Sequence, residues 1–271
     1  MSKSVYEMVT DRIIKQLESG IIPWEKPWTG VRSGAYNRVS KRSYSLLNQM
    51  LLSKDGEWAT FKQWTDLGGK IKRGEKSSFV VFWKVLPVEE VQEDGTKTIK
   101  QIPLLKYINV FHISQVEGVE PLKKEELNDI EPIEKAEEVL KDYWTREQIT
   151  VEHIKGDKAF YSPIRDYIQL PLFEQFKDAN EYYSTAFHES VHSTMSERRC
   201  NRAEERKDKL VAELGSANLM NIIGIETRKS FRNSSAYIQN WLSVLRNDVK
   251  FIVSASSKAE KAVNYILNIE A

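Results

Sequence analysis

The segment that most constrains the fold of this 271-residue chain is His188-Glu189-Ser190-Val191-His192. On an α-helix, residues four apart lie one above the other on the same face, so both imidazoles can reach a single metal ion. Glu189 stands beside them and is the candidate general base. The chain has only four histidines, and two of them belong to this segment. The pattern therefore predicts a metal-binding helix.

A third protein ligand is expected, because a catalytic zinc ion usually takes three protein side chains and leaves one position for water. No histidine follows His192, and Cys200 is a poor candidate because it is the only cysteine and lies just eight residues further on. Glu213 is the best carboxylate, since it shares a helical face with Leu210 and Ala217, and a carboxylate on an apolar face needs a cation. The alternative is a salt bridge from Glu213 to an arginine or lysine.

These assignments predict Zn2+-dependent hydrolysis. Glu189 would accept the proton of the attacking water, and the metal ion would polarise a carbonyl group. We expect residues 166–170 to form an edge strand with which an extended peptide substrate could pair. Three tyrosines are candidates for stabilising the oxyanion, with core packing as the alternative role: Tyr182, Tyr183 and Tyr237.

The net charge of +1 conceals an uneven distribution. Residues 1–85 carry 15 Lys and Arg against 8 Asp and Glu, whereas residues 86–140 carry 6 against 13. A basic front third can attract a polyanion even when the whole chain is nearly neutral, although an ordinary solvated surface is the alternative. A glycine-punctuated basic loop at 68–76 precedes a strand-like, aromatic run at 77–85. Single-stranded nucleic acid is commonly held in this way, with cations along the phosphates and rings stacked on bases.

The order of the elements predicts an α+β fold, because strands dominate before the metal helix and helices follow it. An acidic stretch at 117–138 is expected to link two domains, and Asp94-Gly95 is the expected tip of a hairpin. A single cysteine allows no intrachain disulfide, and no apolar run is long enough to cross a membrane, so we expect a cytoplasmic protein without a membrane partner. The helices and strands expected around the site are helices at 4–19, 133–144, 180–195, 204–223, 236–251 and 257–268, and strands at 149–154, 159–163, 166–171 and through Phe173 and Phe176.

Several stretches, in order along the chain, resemble a known family. The opening Pro23 to Trp28, the segment Asn37 to Tyr44, and the segments Trp58 to Trp64 and Leu67 to Lys76 are similar to the N-terminal domain of ArdC-type antirestriction proteins. The second half resembles the zincin-like metallopeptidase domain that accompanies it. The matching stretches there are Tyr161 to Pro163 with Asp166, Tyr182 to His192, Leu210 to Gly215, and Ala236 to Leu242.

The resemblance implies two domains: residues 1–125, a small α/β domain that binds single-stranded DNA, and residues 126–271, a zincin-like metallopeptidase domain of the gluzincin type. It implies a protein of a plasmid, phage or other mobile element that protects incoming DNA from restriction during conjugation. It carries over His188, His192 and Glu213 as metal ligands and Glu189 as the catalytic residue. Ser190 and Ser193 depart from the family pattern, where larger apolar or aromatic residues are frequent, which would alter the shape of the pocket.

Individual DNA contacts are not carried over by the resemblance, and the candidates come from side-chain chemistry alone. They are Arg38, Lys41, Arg42, Tyr44, Lys70, Lys72, Arg73 and Lys76. Three hypotheses for the function follow. The favoured one is a single-stranded-DNA-binding protein with a zinc metallopeptidase site that acts on an unknown protein substrate. The alternatives are a DNA-coating protein whose zinc is structural, and an intracellular zinc peptidase without a role on DNA.

Overall fold

The computed structural model describes residues 3–24, 34–91, 97–122, 132–202, 205–225 and 235–269. The helices of these residues are numbered in chain order: α1 (Val5–Glu18), α2 (Leu46–Leu51), α3 (Phe61–Asp66), α4 (Pro132–Arg146), α5 (Ala179–Ser193), α6 (Glu205–Ile223), α7 (Ser235–Asn247) and α8 (Phe251–Ile266). The strands are β1 (Ala35–Asn37), β2 (Gly56–Ala59), β3 (Lys70–Ile71), β4 (Ser78–Val91), β5 (Lys97–His112), β6 (Val116–Glu117), β7 (Thr150–Ile154), β8 (Phe160–Ser162) and β9 (Tyr167–Pro171).

The first helix forms where the sequence predicts it. Ser4 and Glu7 make a reciprocal capping box, in which the Ser4 hydroxyl accepts a hydrogen bond from the Glu7 amide and the Glu7 carboxylate accepts one from the Ser4 amide. Val9, Ile13 and Leu17 recur at helical spacing and are buried. The chain leaves the helix through Ser19 and Gly20.

The N-terminal half is built on a four-stranded sheet in the order β1-β2-β5-β4. Strands β4 and β5 form a long antiparallel hairpin, which pairs from Ser78 with Val110 out to Val91 with Lys97. The expected hairpin tip, Asp94-Gly95, lies outside the described residues. Strands β3 and β6 form a separate two-stranded pair beside α3.

Trp58, Phe61 and Trp64 stand at helical spacing, and the sequence predicts that they share a buried face. That prediction is wrong for Phe61, which is 60% exposed, while Trp58 and Trp64 are buried. The reason is that Thr60 caps α3 through the Gln63 amide, so the helix begins only at Phe61 and Trp58 belongs to strand β2.

The C-terminal half opens with α4 and a three-stranded sheet in the order β7-β9-β8. Strand β9 is parallel to β7 on one side and antiparallel to β8 on the other, so the prediction that residues 166–170 form an edge strand is wrong. The strand expected through Phe173 and Phe176 is also wrong. Residues 173–175 form a single turn of 3-10 helix, in which the Gln175 side chain accepts a hydrogen bond from the Leu172 amide.

The last two helices divide at a different point from the one expected. Helix α7 ends at Asn247, and α8 already begins at Phe251 instead of residue 257. The Asp248 side chain accepts a hydrogen bond from the Lys250 amide, which turns the chain between the two helices.

One hydrophobic core joins the two halves of the chain. Buried residues of α1 and α2 belong to the same cluster as those of α5 to α8. The Thr10 hydroxyl donates a 2.8 Å hydrogen bond to the carbonyl of Val249, and Arg246 pairs with Glu18 at 2.7 Å. The N-terminal helices therefore complete the core of the C-terminal half. The expected boundary near residue 125 falls in 123–131, outside the described residues.

Among the described residues, the helices are all too short or too polar to span a lipid bilayer.

Candidate metal centre

Helix α5 presents the two motif histidines side by side. Asp178 precedes the helix and caps it, since its carboxylate accepts a 3.0 Å hydrogen bond from the Glu181 amide. The helix is buried on most of its circumference. The Nε2 atoms of His188 and His192 lie 3.1 Å apart, and the ring centroids are 4.7 Å apart. Two imidazole nitrogens that converge in this way can share one metal ion. The i, i+4 spacing in the sequence therefore brings the two histidines together as predicted.

A buried acidic residue orients the second histidine. The Nδ1–H of His192 donates a hydrogen bond to the carboxylate of Asp208, which lies on α6. This contact fixes the tautomer that leaves the Nε2 lone pair facing His188. The pairing of a ligand histidine with a carboxylate is typical of metal sites, where it also raises the basicity of the imidazole.

Asp208 is held in turn by a buried arginine. Arg202 pairs with the Asp208 carboxylate at 2.7 Å, and both side chains are 6% exposed. The same guanidinium donates hydrogen bonds to the Val191 carbonyl at 2.6 Å and to the Thr194 hydroxyl at 2.8 Å. Burial lowers the pKa of Arg202, and the adjacent Asp208 opposes that shift. Arg202 therefore connects the C-terminal end of α5 to the start of α6.

The predicted third ligand lies beside the first histidine. One carboxylate oxygen of Glu213 is 3.9 Å from Nδ1 of His188, and the Glu213 side chain is 14% exposed. Glu189, the predicted base, is buried on the same helix as the histidines. Within the part of the chain that the structure describes, however, no three His, Cys, Asp or Glu side chains are grouped closely enough to hold a metal ion as they stand.

The residues present nevertheless suit a divalent metal ion. Two Nε2 atoms converge, Asp208 fixes the tautomer of one ring, and the Glu213 carboxylate faces the other ring. A set of two imidazoles and one carboxylate is used for catalytic zinc, and manganese accepts the same nitrogen and oxygen donors. Completing a three-ligand set would require Glu213 or His188 to move, because the Glu213 oxygen faces Nδ1 of His188 and not the Nε2 that converges with His192.

Close packing of two helices sets the distance between Glu213 and the histidines. A Cβ atom built on Gly215 would lie 2.8 and 2.9 Å from the two methyl groups of Val191. Only glycine therefore allows α6 to approach α5 this closely, two residues from Glu213 and one residue from His192.

The two serines that depart from the family pattern face away from the histidines. The Ser190 hydroxyl accepts a 2.9 Å hydrogen bond from the Trp144 indole, and Ser193 lies 2.8 Å from the Tyr143 hydroxyl. Both serines are fully buried against α4. Both serines thus make polar contacts between α5 and α4.

A second polar network attaches the strands to α5. Arg199 forms a bidentate pair with Asp166 at 2.8 and 2.7 Å and also pairs with Glu147 at 3.1 Å. Tyr161 donates a 2.9 Å hydrogen bond to the same aspartate. Burial would raise the pKa of Asp166, but the hydrogen bonds from Arg199 and Tyr161 outweigh it and hold that pKa below its usual value. Burial, followed by the Asp166 contact, raises the pKa of Tyr161 to about 12.

The tyrosines considered for oxyanion stabilisation have packing contacts. Tyr182 is buried and lies 2.9 Å from Nε2 of His153, and burial raises its pKa to about 12. Tyr183 donates a 2.8 Å hydrogen bond to Glu137. The side chain of Tyr237 lies outside the described residues.

The candidate DNA-contacting residues occupy different environments. Arg38 pairs with Glu57 and is only 14% exposed, and Tyr44 is partly buried, which raises its pKa. The Lys72 ammonium donates a 3.0 Å hydrogen bond to the Ser114 carbonyl at the surface. The remaining candidates are exposed at the surface: Lys41, Arg42, Lys70, Arg73 and Lys76.

Sequence reasoning missed Asp208 and Arg202. The signal that selected Glu213, a carboxylate on an otherwise apolar helical face, also applies to Asp208, which shares a face with Val211 and Ala212. For Arg202 the sequence holds no such signal, because it lies in an irregular segment between two helices.

Comparison with known proteins gives the family. Residues 3–111 match the family described as the N-terminal domain of anti-restriction factor ArdC, and residues 134–258 match the zincin-like metallopeptidase family. The chain is 30% identical over 299 residues to the DNA primase TraC of Escherichia coli, which covers 100% of this chain but only 28% of TraC. It is 28% identical over 286 residues to the uncharacterized protein y4eC of Sinorhizobium fredii, which covers 97% of this chain and 91% of y4eC.

Solved structures show the same fold over the full length. The metal-free crystal structure of the antirestriction protein ArdC from the R388 plasmid superposes with a TM-score of 0.77 at 28% identity, over 99% of this chain and 100% of ArdC. The Mn(II)-bound structure of that protein gives a TM-score of 0.76 over 98% of each chain. This chain therefore belongs to the ArdC-type antirestriction proteins, with an ArdC N-terminal domain followed by a zincin-like metallopeptidase domain.

Proposed function

We propose that this protein binds single-stranded DNA with its N-terminal half and hydrolyses peptide bonds with a metal site in its C-terminal half, so that it protects incoming DNA in the cytoplasm of a new host. The observation that carries the proposal is the convergence of the His188 and His192 Nε2 atoms at 3.1 Å, with Asp208 holding the outer nitrogen of His192. A purely structural metal ion would also bind to such a pair of histidines. It would not need Glu189, the acidic residue that follows His188.

His188, His192 and Glu213 would hold the metal ion. Zinc is expected from the zincin-like fold, and manganese is the alternative because a Mn(II)-bound structure of ArdC from R388 is known. When bound, the ion would supply Lewis-acid chemistry for amide hydrolysis. Glu189 is buried beside the site and would accept the proton of the attacking water and pass it to the leaving amine. Asp208 would hold His192 in the tautomer with a free Nε2 lone pair.

A peptide substrate would have to pair with a strand other than β9, because β9 is flanked on both sides. Among the described residues, β7 and β8 are the outer strands of the sheet β7-β9-β8. Helix α5 packs against β8 as well as β9, which makes β8 the edge nearer to the metal helix.

The metal assignment is tested by elemental analysis of purified variants. His188→Ala and His192→Ala should lose the bound metal ion, and Glu213→Gln should weaken its retention on dialysis. Full zinc or manganese content in His188→Ala would refute the assignment.

The catalytic assignment is tested by Glu189→Ala, which leaves all three proposed ligands in place. Its metal content and DNA binding should match the wild type, while protection of unmodified DNA in a restricting host should fall to the level of cells without the protein. Full protection by Glu189→Ala would instead favour a DNA-coating protein with a structural metal ion.

A further inference from the structure

The hairpin of β4 and β5 extends as an arm beyond the folded body. At its base Val81 and Leu105 are buried, at 6% and 4% exposure. Further out, the described side chains at 82–89 and 97–104 are exposed or half-buried. Large apolar side chains nevertheless recur along it, including Phe82 at 45% exposure. Exposed apolar surface of this extent on a projecting element is typical of a binding site.

Strand alternation and register place Phe82, Lys84, Leu104 and Lys106 on one face of the arm, which we call the outer face. Phe82 lies directly opposite Lys106, and Lys84 lies directly opposite Leu104. Side chains opposite each other on one face of an antiparallel pair are about 5 Å apart at Cβ. The exposed ring of Phe82 is therefore flanked by two lysines, Lys84 on its own strand and Lys106 on the neighbouring one.

The opposite face of the hairpin is used to attach it to the helices. The ring of Trp83 contacts Tyr6 of α1 at 6.5 Å between centroids. The Asn48 side chain of α2 makes two 2.8 Å hydrogen bonds to the backbone of Val81, which satisfies the free edge of β4 at the base. The outer face thus points away from the core that contains the metal helix.

At its base, the outer face lies next to Tyr44, one of the residues that the sequence suggests for DNA contact. Val80 of the outer face is buried in a cluster with Trp58 and Val110, and Tyr44 packs against this cluster. Tyr44 lies two residues after Arg42 and three after Lys41, both candidate cations. The buried base of the outer face therefore packs next to Tyr44, close in sequence to the basic candidates.

The charge of the outer face suits a polyanion. Lys84 and Lys106 form no ion pair with a described residue, and the one acidic side chain of the arm whose position is described, Glu89, lies on the opposite face and pairs with Lys97 at 3.5 Å. A second copy of the chain seated here by two-fold symmetry would bring lysines against lysines, which is unfavourable. A ring between two cations is instead the arrangement that holds an unstacked base and its phosphates.

We propose that the outer face of the arm binds single-stranded DNA, with Phe82 stacked on a base and with Lys84 and Lys106 contacting phosphates on either side of it. This inference rests on the proposed DNA-binding function and assigns its location. The ligand is single-stranded because a base paired within a duplex does not offer its face to a side chain.

The test is fluorescence anisotropy of a labelled oligodeoxythymidine with the full chain at several salt concentrations. Phe82→Ala should weaken binding about tenfold, because stacking on an aromatic ring contributes substantially per base. Lys84→Gln with Lys106→Gln should lower the slope of log K against log salt by about 1.4, from two lost phosphate contacts at about 0.7 each. The matched controls are on the opposite face, Val85→Ala and Lys97→Gln, and should bind within about twofold of the wild type.

The outcomes separate this inference from the proposed function. If the wild type binds and the outer-face variants bind equally well, the location is refuted while DNA binding stands. If the wild type does not bind at low salt, both are refuted. Light scattering adds a further check, since conversion of a dimer to a monomer by Phe82→Ala without a change in DNA affinity would identify the outer face as an interface between copies and refute the inference.

Discussion

The Asp208 carboxylate accepts a hydrogen bond from Nδ1 of His192, so an acidic residue on α6 fixes the orientation of a metal-binding imidazole on α5. Arg202 pairs with the same carboxylate and with the carbonyl of Val191, which ties the end of α5 into the contact. The two helices that carry the proposed ligands are therefore joined by a polar network behind the metal centre, in addition to their apolar packing.

Asp208→Asn should weaken metal binding by about 10- to 100-fold, because loss of a carboxylate partner lowers the basicity of the imidazole and loosens its orientation. The measurement is competitive titration of Zn2+ and Mn2+ against a chromophoric chelator. Asp142→Asn removes an exposed carboxylate that pairs with Arg146 and should leave the affinity unchanged. Equal affinities for Asp208→Asn and wild type would show that Asp208 does not position His192.

Arg202→Met should destabilise the fold by about 3–5 kcal/mol, because it leaves the buried charge of Asp208 without its partner. Adding Asp208→Asn to Arg202→Met should recover part of the loss, which denaturant unfolding would measure as a coupling free energy. The exposed pair of Arg246 with Glu18 provides the control, and Arg246→Met should cost less than about 1 kcal/mol. Additive effects of the two buried substitutions would contradict a direct pairing.

Gly215→Ala should push α6 away from α5, since its Cβ would meet the Val191 methyl groups at 2.8 and 2.9 Å. Overpacking of this kind costs about 1–3 kcal/mol, and the larger separation would also weaken metal retention by moving Glu213 away from His188. The double variant with Val191→Ala removes the clash and should restore metal retention. No recovery in the double variant would show that another contact sets the spacing of the helices.

Asp166→Asn should lower the unfolding temperature at neutral pH, and the difference from wild type should shrink on acidification. The carboxylate pairs with Arg199, and its folded pKa lies below the usual value of 3.8. Its contribution is therefore fully present above pH 3.8 and is lost as the pH falls through the lower folded pKa. Asparagine tolerates the positive φ of 48° at this position, so the backbone is preserved.

The measurement is the unfolding temperature of both proteins between pH 3 and pH 7. Asp66→Asn, at an exposed pair with Lys62, should show no such convergence. A difference between Asp166→Asn and wild type that stays constant down to pH 3 would mean that the charge of Asp166 is not what stabilises the fold.

The sequence by itself determined the features that depend on local geometry. The i, i+4 spacing of His188 and His192 places both rings on one face of any helix, and the Ser4 and Glu7 pattern starts α1 at the observed position. Glu213 was selected because a carboxylate on an apolar face needs a partner, and it does lie next to His188. The sequence likewise predicted a strand at 77–85 and strands at 149–154, 159–163 and 166–171, although β4 runs on to Val91 and residues 173–175 form a 3-10 turn.

Tertiary structure decided which elements meet. Strand β9 became a central strand because β7 and β8 both pair with it, and no pattern within residues 166–170 encodes that. Contacts between distant residues likewise decide three other features. These are the packing of α1 into the C-terminal core, the hydrogen bond between His192 and Asp208, and the packing of Ser190 against α4. Periodicity shows which face of an element is apolar, whereas the identity of its neighbour follows only from how all the apolar faces are buried together.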